Sequence, residues 1–274
     1  MSSESLNESI SHNNNACIHI RNGEFGQAAT VLDQALRSLR SHLMWIQTTR
    51  AETNGNGDKV PVADEPVAME TTPTAPAYQH GFPEMDCITL ANSTSTDCKE
   101  ILHSVPVSQL RPGHLSTNEV HVPSFDMYNK AFLLSPQDLQ ETNGSDSVNI
   151  DNWVSVVLMY NTALVHYNLG VSAHMCPFDL NRSLKFFEIA DEMIGMMEVG
   201  HHFDILLLKA ATANNMGHIH CCLHASADAK AYYQVLGGVL QVLQWMPQLE
   251  EDDYCLFFMN TGIHVDSLQA APAA

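Results

Sequence analysis

The chain has 274 residues, 45% of them hydrophobic, enough to bury a substantial core as one elongated domain or as one domain with a long insertion. Its 12 Lys and Arg against 31 Asp and Glu leave a formal net charge of -19. Such a field repels nucleic-acid phosphate and anionic membrane surfaces, so it speaks against both as partners and suits a basic protein segment. The 7 cysteines are odd in number and lack a C-x-x-C pair, which points to reduced thiols of an intracellular protein and away from a disulfide framework.

In chain order, MSSESLNESISHNNN is polar and acidic and does not read as a secretory signal peptide. Residues 1–10 are expected to be disordered, and a cytoplasmic or nuclear address follows by default. Asn7, Asn92, Asn143 and Asn181 fit the glycosylation sequon, but without an export route they are chance matches. The first helical hairpin occupies 11–48. A short helix from Ser11 to Asn22 turns at Gly23, and a second runs from Glu24 to about Thr48 with Ala28, Leu32, Ala35, Leu36 and Leu39 at helical spacing.

Over 49–80 the composition collapses into Gly, Asn, Pro, Thr and acidic residues. Pro61, Pro66, Pro73 and Pro76 forbid a continuous helix, so this stretch reads as a disordered linker. An insertion over 81–150 carries weak strand signals at Asp86–Asn92 and Phe125–Leu134. The expectation is a small two-stranded ribbon, joined by the run CLFFMNTGIHV near the carboxy terminus. Two isolated strands are marginal, so the ribbon must lean on the helices.

Helices resume over 151–247. They are expected at Asn152–Leu169, with Gly170 as a C′ residue, then at Leu180–Val199, Phe203–Leu223 and Ser226–Trp245, with Gly200 as separator and Pro247 as stop. The apolar run Val154–Val171 contains Asn161, Thr162, His166 and Asn168, too polar for a membrane span. Residues 248–274 form a C-terminal segment and tail, in which Glu250, Glu251, Asp252 and Asp253 read as a solvated helix start.

Three stretches share one pattern. Asn14, Ala16 and His19 precede Ala28 and Leu32. Asn161, Ala163 and His166 precede Ser183 and Phe187. Asn215, Gly217 and His220 precede Ala229 and Tyr233. In each, a small residue stands three positions before a ring on one helix, and a small residue stands four before a bulky one on the next. That spacing suits paired antiparallel helices, where small residues permit close approach and large ones fill the gap. The frame resembles the tetratricopeptide repeat (TPR), most of all in the run GEFGQAATVLDQAL from Gly23 to Leu36. It departs from that family in lacking the first-helix Trp, in placing His where Tyr is usual, and in lengthening the second turn by eight residues.

The resemblance implies a mainly α fold: antiparallel α-hairpins of TPR-like type in a short α-α superhelix, with a long, partly disordered insertion and a small β-ribbon. It also implies a ligand groove lined by the first helix of each hairpin. Its candidates are Asn13, Asn14, Cys17, Ile20 and Arg21 in the first unit and Tyr160, Asn161, Leu164, Tyr167 and Asn168 in the second. The third offers Asn214, Asn215, His218, Cys221 and Cys222. The members of that family that clamp a peptide carboxylate need several groove Lys or Arg residues, and only Arg21 stands here, so that specialised activity is rejected.

HIHCCLH, His218 to His224, is the chemically most suggestive stretch. His220, His224 and Cys221 are the residue types zinc takes, but no second Cys/His cluster completes a tetrahedron. Moreover His220 fills the slot of His19 and His166, which favours ring packing. Cys17 and His19 stand two apart on a helix and face different ways, so they do not make a thiol–base pair. No phosphate-binding loop, H-E-x-x-H or G-x-S-x-G is present. The expectation is a non-catalytic protein-interaction module or scaffold with an acidic groove, no cofactor, and a protein or peptide as partner. A metal-binding helical protein is the alternative.

Overall fold

A computed structural model describes residues 2–54, 102–107, 127–135, 147–197 and 203–267. Among the described residues there are seven helices and two strands: α1 (Ser2–Arg21), α2 (Phe25–Asn54), β1 (Leu102–Pro106), β2 (Lys130–Leu134), α3 (Ser147–Ser172), α4 (Pro177–Met196), α5 (Phe203–Cys222), α6 (Ser226–Leu243) and α7 (Glu251–Ser267). One compact unit comprises Met1–Ile46 with Lys99–Ala274. The other is Gln47–Cys98, whose described part is the C-terminal end of α2. No helix among the described residues is long and apolar enough to cross a membrane.

Burial follows helical spacing. In α1 the buried positions are Ser9, Ile10, Asn13, Ala16, Cys17 and Ile20, and in α2 Phe25, Ala28, Leu32, Ala35, Leu39 and His42. α4 buries Leu180, Ser183, Leu184, Phe187, Ala190 and Ile194, and α6 buries Ala229, Tyr233, Leu236, Val239, Leu240 and Leu243. Each fully buried Leu or Phe stabilises by about 1.5–3 kcal/mol. By contrast α3 and α5 are buried on nearly every side, including Asn161, Thr162, Thr212, Asn214 and Asn215. A helix enclosed in this way must find partners for its polar side chains inside the protein.

The helices pair as α3 with α4 and α5 with α6, with α4 against α5, α6 against α7 and α1 against α3. The small residues of the repeat sit at these contacts. Ala16, Ala163 and Gly217 are all buried. Ser183 Oγ donates to the Ala163 carbonyl at 2.7 Å. A Cβ at Gly217 would lie 2.9 Å from the Tyr233 ring, so only glycine leaves room for that tyrosine.

Two turns have one geometry. After α1, Glu24 N–H donates to the His19 carbonyl and Gly23 N–H to Ile20, with Gly23 at φ 76°. After α5, Ala225 N–H donates to His220 and His224 N–H to Cys221, with His224 at φ 59°. Both are Schellman turns, and a histidine holds the left-handed position that glycine takes in the first.

Several expectations are corrected. α1 begins at Ser2, where 1–10 was expected to be disordered, because Leu6, Ser9 and Ile10 reach the core and Ser9 Oγ donates to the Ala35 carbonyl at 3.0 Å. α2 continues past Thr48 to Asn54. Gly170 is not a C′ residue. It lies within α3, where a Cβ would come within 3.2 Å of Asp179 and Leu180, and the left-handed residues are His174 and Met175. CLFFMNTGIHV is not a strand but part of α7, since Asp253, Phe257 and Asn260 are buried at helical spacing. The partner of β2 is Leu102–Pro106; Asp86–Asn92 and most of the 49–80 linker lie outside the described residues.

Candidate functional site

The ribbon is antiparallel, with Leu102 opposite Leu134, Ser104 opposite Phe132 and Pro106 opposite Lys130. Val107 N–H donates to the Asn129 carbonyl at 2.9 Å. By alternation, the main-chain groups of residues 129, 131 and 133 turn toward β1, and those of 128, 130, 132 and 134 turn to the other edge. Pro106 therefore stands where β1 needs no N–H.

That other edge is met by side-chain carboxamides rather than by a strand. Asn14 accepts from Leu134 N–H at 3.0 Å and donates to the Leu134 carbonyl at 2.8 Å. Asn161 accepts from Phe132 N–H at 3.0 Å and donates to its carbonyl at 2.8 Å. Asn215 accepts from Tyr128 N–H at 2.8 Å and donates to its carbonyl at 3.1 Å. A carboxamide has the donor and acceptor of a peptide group, so each asparagine does what one residue of a neighbouring strand would do. These are the leading asparagines of the three repeated stretches.

A second set of groups braces the first. Asn161 also donates to Asn13 Oδ1 at 2.8 Å, Asn215 to Tyr160 Oη at 3.1 Å, and Asn260 to Asn214 Oδ1 at 2.6 Å. The acceptor in each case immediately precedes an asparagine that grips β2 or the segment leading into it. Asn13 Nδ2 adds a 3.1 Å bond to the Phe132 carbonyl, and Cys17 Sγ lies 3.4 Å from the same oxygen. Burial pushes the Cys17 thiol up to about 12, against a smaller opposing pull from a main-chain hydrogen bond, so it stays protonated and able to donate.

Side chains lock the same segment. Tyr128, Phe132 and Leu134 are almost wholly buried. Rings run from α7 to α4 through the strand: Phe257 to Tyr128 at 5.0 Å, Phe132 to Tyr160 at 4.9 Å, Tyr160 to Phe187 at 5.3 Å. Tyr128 OH donates to Asp253 at 3.1 Å, and Lys130 Nζ lies 2.7 Å from both Asp253 and Glu250. Burial pulls the Lys130 ammonium down, but the hydrogen bonds and charges of those two carboxylates outweigh it and leave its pKa raised. The acidic run of α7 is therefore more than a solvated helix start.

The other candidates fall into a separate group. Tyr167 OH and His218 Nε2 are 2.8 Å apart, while Asn168 Nδ2 donates to the Leu164 carbonyl within its own helix at 2.8 Å. Leu164 is buried and Arg21 is exposed. His220 stacks on Tyr232 at 5.3 Å as His166 stacks on Phe186 at 5.6 Å, whereas His19 pairs with Glu24 at 2.6 Å. Burial lowers the pKa of His166, with Arg182 adding to it, and lowers that of His220. Burial raises Cys221 and takes Cys222 to about 11, so neither thiol is poised to ligate as thiolate. Among the described residues no group of three His, Cys, Asp or Glu could hold a metal ion, and the alternative set His220, Cys221 and His224 has no geometric support.

The sequence named the gripping asparagines but not what they hold. It also passed over Asn260, although Asn260 and Gly262 repeat the Asn-x-small spacing of Asn14, Asn161 and Asn215. Comparison with family models, curated proteins and solved structures finds no match in any of the three. Fold and site together define a mainly α-helical bundle with a small β-hairpin, in general terms like a helical-repeat protein.

Proposed function

We propose that the chain is a non-catalytic protein-interaction module built of TPR-like hairpins, in which the face bearing Asn14, Asn161 and Asn215 is the peptide-holding groove. The observation that carries this reading is the two-point grip of each of those asparagines on the main chain of one extended segment. Main-chain recognition with pockets for alternate side chains is how extended peptides are bound at sheet edges. In this reading α7, with Asn260 and Gly262, is the first helix of a fourth unit. The acidic first turn of α7 and the net charge of -19 favour a basic or neutral peptide over an acidic one.

The test is selection of a random twelve-residue peptide library on the full chain and on a Lys130→Glu variant, whose ribbon is loosened by repulsion from Asp253 and Glu250. Enriched peptides that bind as isolated synthetic molecules are the expected result. Failure to enrich any peptide on either protein would remove the reading.

A further inference from the structure

The face that holds an extended segment is already filled, and the occupant belongs to the same chain. We propose that residues 127–134 act as a built-in, replaceable ligand, and that the natural ligand is an extended peptide of another protein. That peptide carries an aromatic residue, a basic one, a second aromatic and a leucine at alternate positions. This inference rests on the proposed interaction role and specifies its ligand and its control.

The pattern comes from the occupant. Tyr128, Lys130, Phe132 and Leu134 are its alternate positions, and every main-chain group seen to be gripped belongs to Tyr128, Phe132 or Leu134. The carboxamides read no side chain, so any peptide with the same main-chain path satisfies them. Selectivity then falls on the pockets. Two admit rings, one in contact with Phe257 and one with Tyr160. Between them Asp253 and Glu250 demand a cation, since an uncharged residue there would leave Asp253, only 5% exposed, without its Lys130 partner.

Covalent order supplies the control. In the covalent chain residues 55–101 lie between α2 and the ribbon, and residues 135–146 between the ribbon and α3. A segment of the same chain competes intramolecularly, so a free peptide of equal intrinsic affinity is at a disadvantage. Weakening the internal copy lifts that barrier without touching the asparagines. The internal strand thus sets a threshold that a partner passes only with better side chains or with the ribbon drawn away.

The experiment uses the full chain, the Lys130→Glu variant and a Phe132→Ala variant, with a fluorescent synthetic peptide of residues 125–136 as probe. The expected result is binding to the variants at least tenfold tighter than to the parent protein, weakened when the probe carries Lys130→Glu. Hydrogen-exchange protection should pass from the protein's own amides at 128–134 to those of the probe. Lys130→Glu changes a partly exposed side chain, so it serves if Phe132→Ala does not fold. Retained protection of residues 128–134 with no probe bound to a cooperatively melting variant would overturn the proposal. So would dimers that exchange ribbons, which would reserve the face for a second copy. If library peptides bind a variant while protection at 128–134 persists, this inference fails and the interaction role survives.

Discussion

Two polar regions of this protein differ in what they are made of, in how they are spread along the chain and in what they do. The stretch His218–His224 concentrates imidazoles and thiols, yet the rings of His218 and His220 pack on Tyr167 and Tyr232 and its thiols are held protonated. The asparagines are dispersed over α1, α3, α5 and α7, one or two at a time, and they converge on a single strand and its lead-in. Reactive side chains close together in sequence are therefore a poorer guide here than unreactive ones repeated in a frame. A helix turns successive residues away from each other, whereas equivalent positions on neighbouring helices meet.

The largest expected effect belongs to the asparagine region. Asn161→Ala strands the buried Phe132 N–H, removes one of the donors to the Phe132 carbonyl, which keeps Asn13 and Cys17, and takes a donor from Asn13. At about 1–3 kcal/mol for an unsatisfied buried group and about 1 kcal/mol for a further hydrogen bond lost, a loss of roughly 2–4 kcal/mol is expected in denaturant unfolding. Asn14→Ala, nearer the surface, should cost about 1–2 kcal/mol. Equal, small losses for the two would mean that the carboxamides do not anchor the ribbon.

The histidine region should respond to acid instead. His166 and His220 have pKa values held below the ordinary histidine range, so the unfolded chain binds protons that the folded chain refuses. Stability from these two sites is full above the unfolded value near 6.5 and is lost as pH falls through it toward their folded values. Thermal unfolding across that window should show Tm dropping with pH. A His166→Tyr, His220→Tyr double variant, which keeps the stacking ring, should flatten the dependence. Zinc should leave Tm unchanged.

The smallest effect concerns His224. A left-handed non-glycine residue costs about 1–2 kcal/mol, and glycine gives back about 0.5–1 kcal/mol of that through its unfolded-state entropy. His224→Gly, at an exposed position, should raise stability by less than about 1 kcal/mol, a gain of a few degrees in Tm. A fall in Tm would assign the imidazole a packing role.

The hairpin helices were legible because Leu32, Phe187 and Tyr233 recur at fixed distances from small residues, and burial enforces that spacing. Residues 1–10 read as disordered because their few apolar groups, Leu6 and Ile10, matter only once Ala35 and its neighbours are beside them. β2 was legible as a strand but not its surroundings. Phe132 meets Asn161, 29 residues on, and Asn13, while Leu134 meets Asn14; the last two lie over a hundred residues back, and no local pattern encodes such meetings.

The order in which these partners are made has a cost during synthesis. β2 leaves the ribosome after Asn14 but before Asn161, Asn215 and Asp253, so its gripped edge waits for downstream helices to be translated. Long-range pairings form late, and an unpaired strand edge is a template for association with other chains. Nascent protein stalled between about residues 135 and 215 should therefore be the species most in need of a chaperone.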